Sequence, residues 1–172
     1  VYLVPLSFGF SHSGGVRTFY FHSAPEGRKL ELLCRNASAA FELDCRCEIT
    51  AGETACQYSA RYQSVIGTGC VRFLTDAAEK RAALTEIMRQ NAGAGNWEFP
   101  DAAVAHVTVF ALDVETISPS STCKSDVLCG QITDGGLHLE AAAFQLPKTL
   151  LPASGGTVRE AAEWFPYFLG CS

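Results

Sequence analysis

Long apolar runs are missing from this chain of 172 residues, and none approaches the about 20 residues that a membrane-spanning helix requires. A basic excess is missing too, because 13 Lys and Arg stand against 18 Asp and Glu. A dedicated nucleic-acid binder, which needs a basic face, is therefore excluded. The GxGxxG, Walker, GxSxG and HExxH motifs are absent, which removes the common nucleotide-binding, hydrolase and zinc-protease classes. Hydrophobic residues make up 48% of the chain, which is enough to form the core of one globular domain.

The eight cysteines contain no CxxC pair. Cys45, Cys47 and Cys56 offer three zinc ligands, but a fourth at suitable spacing is missing, so no metal site is predicted. A secreted disulfide framework is not needed either, because the chain has enough core residues without one. We therefore expect free thiols in a reducing cytoplasm. The chain begins at Val1 without a charged segment followed by an apolar stretch, so no signal peptide is predicted and a trimmed N-terminus is expected.

Strand patterns and turn signals alternate in the first part of the chain. Residues 1–10 and 16–21 are apolar and rich in β-formers, and the Ser-His-Ser-Gly-Gly turn between them predicts a hairpin. Between Pro25 and Arg35 the apolar residues recur at helical spacing, which predicts a short helix with Ser23 as its N-cap.

Two further strands are predicted over residues 39–49 and 63–74. Gly67 and Gly69 interrupt the second of them. Two glycines at this spacing in a strand indicate a bend, or a close approach by another backbone or a ligand.

The clearest helix signal follows these strands. Asp76 is placed to cap a helix that extends to Gln90, and Gly93 is placed to end it. Residues 104–114 then return to a strand pattern, and a loop begins at Ser118. Hairpin-spaced strands with few helices predict a mainly β fold, an antiparallel barrel with flanking helices, rather than a doubly wound parallel sheet.

The most informative segment leads from a strand end at Phe21 through a polar turn into the triplet Gly27-Arg28-Lys29. Two cations in the first turn of a helix are unfavourable by themselves, because a helix N-terminus already carries partial positive charge. They become favourable when an anion lies among them, since backbone N–H groups, a guanidinium and an ammonium together bind phosphate. The alternative interpretation is a solvated Arg-Lys pair with Glu26 nearby.

Four stretches of this chain, in their order and spacing, resemble the pyridoxamine 5'-phosphate oxidase-like split-barrel flavoproteins, and the nitroimidazole-resistance (Nim) proteins are the most similar group among them. The triplet at 27–29 resembles their FMN-phosphate segment. The stretches are residues 1–9, 20–29, 62–69 and 79–84. The resemblance makes residues 1–117 the FMN-binding domain. Residues 118–172 remain as a C-terminal extension that packs on the barrel or on a partner subunit.

The resemblance implies a six-stranded antiparallel split β-barrel with two or three flanking helices. It also implies a homodimer with one FMN in each of two grooves between the subunits. In that arrangement Arg28 and Lys29 hold the FMN phosphate with help from the Ser64 hydroxyl, and Val65 lines the same groove. The residues that face the isoalloxazine and the ribityl chain, largely through backbone groups, are Pro5, Leu6, Ser7, His22, Ser23 and Ala24.

The catalytic candidate is His22, because in the Nim proteins a His in the matching Phe-His turn is tied to activity. An imidazole titrates near neutrality and can act as a donor or acid beside a flavin. The alternative is a strand-end His that satisfies a neighbour or reaches solvent. His12, His106 and His138 have no comparable context and are expected to be solvated or structural.

Three functions remain open at this point. The first is a reductase that passes electrons from reduced FMN to a small-molecule acceptor, with a nitroaromatic such as a 5-nitroimidazole as the named candidate. The second is a non-catalytic protein that stores or senses flavin or haem. The third is pyridoxamine phosphate oxidation, against which a second phosphate clamp is not evident, since Arg159 is the only Arg after Arg89.

Overall fold

The computed structural model describes residues 2–121 and 141–146. This part of the chain contains seven strands, three α-helices and one short 3₁₀ helix. In chain order they are β1 (Tyr2–Pro5), β2 (Phe8–Ser13), β3 (Val16–Ser23), α1 (Arg28–Arg35), β4 (Ser38–Thr50), the 3₁₀ helix (Ala55–Gln57), β5 (Ser59–Leu74), α2 (Ala77–Ala92), α3 (Asp101–His106), β6 (Thr108–Ser121) and β7 (Ala141–Leu146).

The strands form one antiparallel sheet in the order β1-β7-β4-β5-β6-β3-β2. β1 and β2 lie at its two edges, so among the described residues the sheet is not closed by hydrogen bonds. The mainly β fold with an antiparallel sheet and flanking helices is confirmed. The described sheet has seven strands rather than six, because β7, from the predicted C-terminal extension, lies between β1 and β4.

One face of the sheet carries an aromatic core centred on Phe19. The centroid of its ring lies 5.5 Å from that of Phe8 and 4.8 Å from that of Phe41. Leu30 and Leu33, three residues apart on α1, are buried against this core. Each such side chain stabilises the fold by about 1.5–3 kcal/mol relative to its exposed state. These contacts fix α1 on the sheet while its first turn stays at the surface.

α2 packs against β2 and β3 on the opposite face. Its N-cap is Asp76, whose carboxylate accepts hydrogen bonds from the backbone N–H groups of Ala78 (3.0 Å) and Glu79 (2.9 Å). Its C-cap is Gly93, where a φ of 84° favours glycine. Both ends of this helix agree with the sequence prediction.

The start of α1 differs from the prediction. The helix begins at Arg28 rather than near Pro25, and Ser23 is the last residue of β3 instead of an N-cap. The pairing of Ser23 with Thr108 on β6 holds it in the sheet. Pairing between strands therefore overrides the local capping signal.

The predicted strand over residues 104–114 is wrong in its first part. Residues 101–106 form α3, and β6 begins only at Thr108. The carbonyl oxygens of Val104 and Val107 accept hydrogen bonds from Lys80 Nζ, at 3.1 Å and 2.9 Å. A cation at a helix C-terminus stabilises a short helix that its own sequence does not strongly specify.

The loop predicted to begin at Ser118 is also wrong, because β6 continues through Pro119 to Ser121. Pro119 pairs with Val65 on β5. On the other side of β6, β3 pairs only as far as Asp113. At this position β6 pairs with only one described strand, β5. Proline is tolerated because the N–H that it lacks is not needed for a hydrogen bond to a second strand.

Candidate functional site

The candidate site lies where β3 ends and α1 begins. His22 pairs with Val109 and Ser23 pairs with Thr108, both on β6, so the end of β3 is fixed in the sheet. Four residues, 24–27, then connect β3 to α1. His22, Ser23 and Ala24 therefore lead directly into the first turn of α1, as the sequence predicts for this continuous segment.

Gly27 shapes the start of α1. Its φ of 130° and ψ of 165° are a conformation that side chains with a Cβ rarely adopt, and a Cβ placed there would meet nothing within 4 Å. No side chain among the described residues caps this helix. The first N–H groups of an α-helix have no acceptor within the helix. The open start of α1 therefore presents donors and the positive end of the helix dipole to a ligand.

Arg28, the first residue of α1, forms an ion pair with Glu31, with Nη1 lying 3.1 Å from Oε2. Both side chains are substantially exposed, at 38% and 55%, so this pair contributes little to stability. A guanidinium has five N–H donors, and this contact uses one of them. Arg28 is positioned by Glu31 and keeps donors for a further acceptor.

Lys29 is half-buried, and that burial lowers the pKa of its ammonium. Within residues 2–121 and 141–146 it makes no hydrogen bond and no ion pair. A partly desolvated cation without a counter-ion is unfavourable, and an anion placed against it relieves that cost. This side chain, beside Arg28 at an open helix start, fits the phosphate group of a cofactor.

His22 is half-buried at the end of β3. Burial and, secondarily, the positive charge of Lys29 lower the pKa of its imidazole below the ordinary value of 6.5. The ring is therefore neutral at pH 7, with one nitrogen as donor and the other as acceptor.

Pro5 is the last residue of β1, and Leu6 and Ser7 connect β1 to β2. The ladder between β2 and β3 begins with the pair of Phe8 and Phe21, and Ser7 comes directly before that pair in the chain. Leu6 packs against the aromatic core, while Pro5 and Ser7 are exposed.

Ser64 and Val65 lie on β5, away from this segment. They are successive strand residues, so their side chains point to opposite faces. Val65 is fully buried in the aromatic core, and Ser64 is 6% exposed. His22 is level with Leu74 across β6, and Ser64 precedes Leu74 by ten residues, or roughly 30 Å of extended strand. Within one chain Ser64 and the end of β3 therefore lie at different levels along the strands.

The two strand glycines accommodate the protein itself. A Cβ on Gly67 would lie 2.4 Å from the ring of Phe41, and one on Gly69 would lie 2.3 Å from the carbonyl oxygen of Asp113. The structure supports close approach by neighbouring residues at both glycines. It also supports an irregularity at the second glycine, because the pairing of β5 with β6 shifts register between Thr68 and Gly69.

Sequence reasoning missed the partners of Asp113. Its carboxylate accepts hydrogen bonds from Thr18 Oγ1 at 2.8 Å and from Arg72 Nε at 3.1 Å. Arg72 also pairs with Glu79, so this cluster ties β3, β5, β6 and α2 together. Partners so far apart along the chain leave no local sequence signal, and the cluster has a structural role.

Two features are absent from the part of the chain that the structure describes. In the described ranges, no group of three or more His, Cys, Asp or Glu residues is placed to hold a metal ion. In the same ranges, no helix combines the length and the apolar character needed to cross a membrane.

Comparisons with known proteins agree with this architecture. The family model for pyridoxamine 5'-phosphate oxidase matches residues 1–121. A crystal structure of a candidate 5-nitroimidazole antibiotic resistance protein from Bacteroides thetaiotaomicron is 29% identical, with a TM-score of 0.59, and the match covers 84% of this chain and 70% of that one. No curated protein matches the chain in sequence.

Two more distant structures share the fold. The FAD and haem binding protein from Mycobacterium smegmatis is 19% identical with a TM-score of 0.52, and the match covers 94% of this chain and 83% of that one. A flavocytochrome from Azotobacter vinelandii is 14% identical with a TM-score of 0.50, and the match covers 93% and 80% of the two chains. At these identities the likeness concerns the fold alone.

Proposed function

The chain belongs to the pyridoxamine 5'-phosphate oxidase family, and on that premise we propose that it is a flavoprotein that binds FMN by its phosphate at the start of α1. The observation that carries this proposal is Lys29, a half-buried cation without a counter-ion in the described residues. Arg28 adds a guanidinium, and the uncapped N–H groups add donors directed along the helix axis. A phosphate dianion neutralises the excess positive charge that these groups create.

The remaining groups of the segment suit the rest of the cofactor. In this proposal Ser7, Ser23 and Ala24 offer backbone donors and acceptors to the ribityl chain and the isoalloxazine. Pro5 and Leu6 complete this set in the proposal. A bound flavin supplies the electron-transfer chemistry, while the protein supplies binding, orientation and electrostatics.

His22 is the proposed catalytic residue. Its neutral imidazole can donate one hydrogen bond and accept another near the flavin. In this role it holds a proton close to the position where a small acceptor would be reduced. The structure from Bacteroides thetaiotaomicron makes a 5-nitroimidazole the first acceptor to try.

We further propose that the complete site forms between two copies of the chain. The separation of Ser64 from the end of β3 along the strands supports this arrangement. In a homodimer, Ser64 and the Val65 backbone of one copy would approach the phosphate held by Arg28 and Lys29 of the other. The exposed thiols of Cys34, Cys56 and Cys70 are consistent with a cytoplasmic location for such a dimer.

The test is an absorption spectrum of the purified protein supplied with FMN, FAD or riboflavin, before and after anaerobic addition of NADH or NADPH. We expect FMN to bind more tightly than riboflavin, because riboflavin lacks the phosphate. We also expect the bound flavin to bleach and then to recover its colour when a 5-nitroimidazole is added. Failure of every flavin to bind contradicts the proposed cofactor. A bound flavin that never passes electrons to any acceptor contradicts the reductase function.

The second candidate is storage or sensing of flavin or haem. It is favoured by the fold shared with the flavocytochrome and with the FAD and haem binding protein. The same spectrum separates the two candidates, because haem gives a Soret band that flavin does not. Replacing His22 by Ala would remove that band if the imidazole is the haem ligand.

A further inference from the structure

Arg17 is, like Lys29, a partly buried cation without a counter-ion in the described part of the chain. It lies on β3, near the turn that joins β3 to β2. Its Nε atom is buried and has no hydrogen-bond partner, and within residues 2–121 and 141–146 its guanidinium forms no ion pair. A buried donor without an acceptor costs free energy, so an acceptor is expected at this position.

The strands beside Arg17 supply no carboxylate on its side of the sheet. On β2 its paired residue is His12. On β6 the closest carboxylate in the register is that of Asp113, which accepts a hydrogen bond from Thr18 Oγ1 at 2.8 Å. Successive side chains of a strand point to opposite faces, so this carboxylate lies on the other face from Arg17. Glu115, further along β6, is exposed and forms no ion pair with any described residue.

Apolar side chains adjoin Arg17 on the face that carries the aromatic core. Arg17 precedes Phe19 by two residues, so both side chains point to this face. The ring of Phe10 lies 5.1 Å from that of Phe19, measured between centroids. Phe10, Val114 and Ile117 are partly buried and pack against the same core. The guanidinium therefore lies beside an apolar strip at the margin of the core.

β3 and β6 separate beside Arg17. Their ladder ends at the pair of Thr18 and Asp113, whereas β6 continues to Ser121 in pairing with β5. Among the described strands, Val16 and Arg17 are thus paired with β2 alone. Because the Arg17 side chain is also partly exposed, a small molecule can reach it without displacing a strand.

We propose that the Arg17 site, formed by Arg17, Phe10, Val114 and Ile117, binds a small monocarboxylate with an apolar tail. A guanidinium presents N–H groups in a fork that matches the two oxygens of a carboxylate. One positive charge is balanced by one negative charge, whereas the two cations at the start of α1 suit a dianion. The apolar strip accepts an aliphatic or aromatic tail, whose removal from water is favourable.

The Arg17 site is separate from the proposed FMN-phosphate site. Arg17 and Ser23 are six residues apart on β3, or roughly 20 Å of extended strand. By the alternation of the strand, Arg17 points to the aromatic core and His22 points to the other face. Carboxylate binding is therefore an activity beyond the proposed flavin function, and neither requires the other.

The test is a titration of the full chain with hexanoate, followed by the Nε–H signal of Arg17 in proton–nitrogen correlation NMR spectra. The signal is assigned by its loss in Arg17→Gln. We expect hexanoate to shift it in a saturable way. Acetate, which lacks the apolar tail, and hexanol, which lacks the carboxylate, should cause little shift at the same concentrations.

Calorimetry of hexanoate binding supplies the comparison between variants. Arg17→Gln should weaken binding at least about tenfold, because a charge-assisted hydrogen bond is lost. Arg61→Gln removes an exposed arginine of β5 and should bind hexanoate like the unaltered protein. Equal binding by Arg17→Gln and the unaltered protein overturns the site, as does the lack of a saturable shift at Arg17. Acetate that binds as well as hexanoate overturns the apolar-tailed ligand and leaves an adventitious ion only.

Arg17→Leu gives a check that needs no ligand. It removes the buried donor that lacks an acceptor, so the free energy of unfolding of the ligand-free protein should stay the same or rise. A marked loss of stability would show that the guanidinium is already satisfied within the protein, and would overturn the proposal. FMN affinity should be unaltered in Arg17→Gln, so failure of this proposal and failure of the flavoprotein proposal are distinguishable.

Discussion

Gly9 and Ile87 are in direct contact across the β2–α2 interface: a Cβ on Gly9 would lie 2.4 Å from the backbone nitrogen of Ile87. Contacts between a side chain and a helix backbone cannot be relieved by a rotamer change. The absence of a side chain at Gly9 is therefore what lets α2 lie against β2.

This contact predicts a large effect from a small substitution. Gly9→Ala should lower the free energy of unfolding by about 1–3 kcal/mol, the usual cost of overpacking a core, because α2 must move away from the sheet. Urea unfolding followed by circular dichroism measures the change. Ser13→Ala, at the exposed end of the same strand, is the control and should have little effect. Equal stability of Gly9→Ala and the unaltered protein would show that α2 does not pack at this distance.

The lowered pKa of His22 predicts a dependence of stability on pH. Because the folded state binds a proton at His22 more weakly than the unfolded state does, the free energy of unfolding should fall as pH drops from 7 through 6.5 towards the folded pKa. The measurement is urea unfolding between pH 7.5 and 5.5 in the absence of flavin. His22→Gln should lose this part of the slope, and His12→Gln, an exposed control, should keep it. A slope that His22→Gln retains in full would contradict the assignment.

A site shared between two copies predicts complementation. Ser64→Ala and the double variant Arg28→Gln/Lys29→Gln each remove one half of the proposed phosphate site. Hydrogen bonds to charged groups contribute about 1.5–3 kcal/mol each, so Ser64→Ala should weaken FMN binding roughly tenfold or more. After the two variants are mixed and allowed to exchange subunits, each heterodimer should contain one unaltered site. Fluorescence titration should then detect a fraction of tight FMN sites, and their absence after verified exchange would contradict the shared site.

The sequence predicts those parts of the fold that depend on local contacts. The ends of α2 are correct because Asp76 caps the helix through N–H groups two and three residues away, and Gly93 ends it by its own backbone conformation. α3 was missed because part of its support comes from Lys80, more than 20 residues earlier. The continuation of β6 through Pro119 was missed for a similar reason, since it depends on pairing with β5.

The candidate site also has one part that the local sequence predicts and one part that it does not. His22 to Lys29 is one continuous segment, so the sequence alone brings its members together. Ser64 and Val65 entered the prediction only through the family resemblance, and the strand period puts their side chains on opposite faces. The sequence does not show that Lys29 lacks a counter-ion among the described residues, because that observation requires the folded structure.

The most direct test of the account is the affinity for FMN of Arg28→Gln/Lys29→Gln, measured beside Arg35→Gln, an exposed cation in the last turn of the same helix. Two charge-assisted hydrogen bonds of about 1.5–3 kcal/mol each predict that the double variant loses at least about a hundredfold in affinity. Riboflavin affinity should change little, and Arg35→Gln should bind FMN normally. An FMN affinity that is undiminished in the double variant would contradict the assignment of the phosphate to the start of α1.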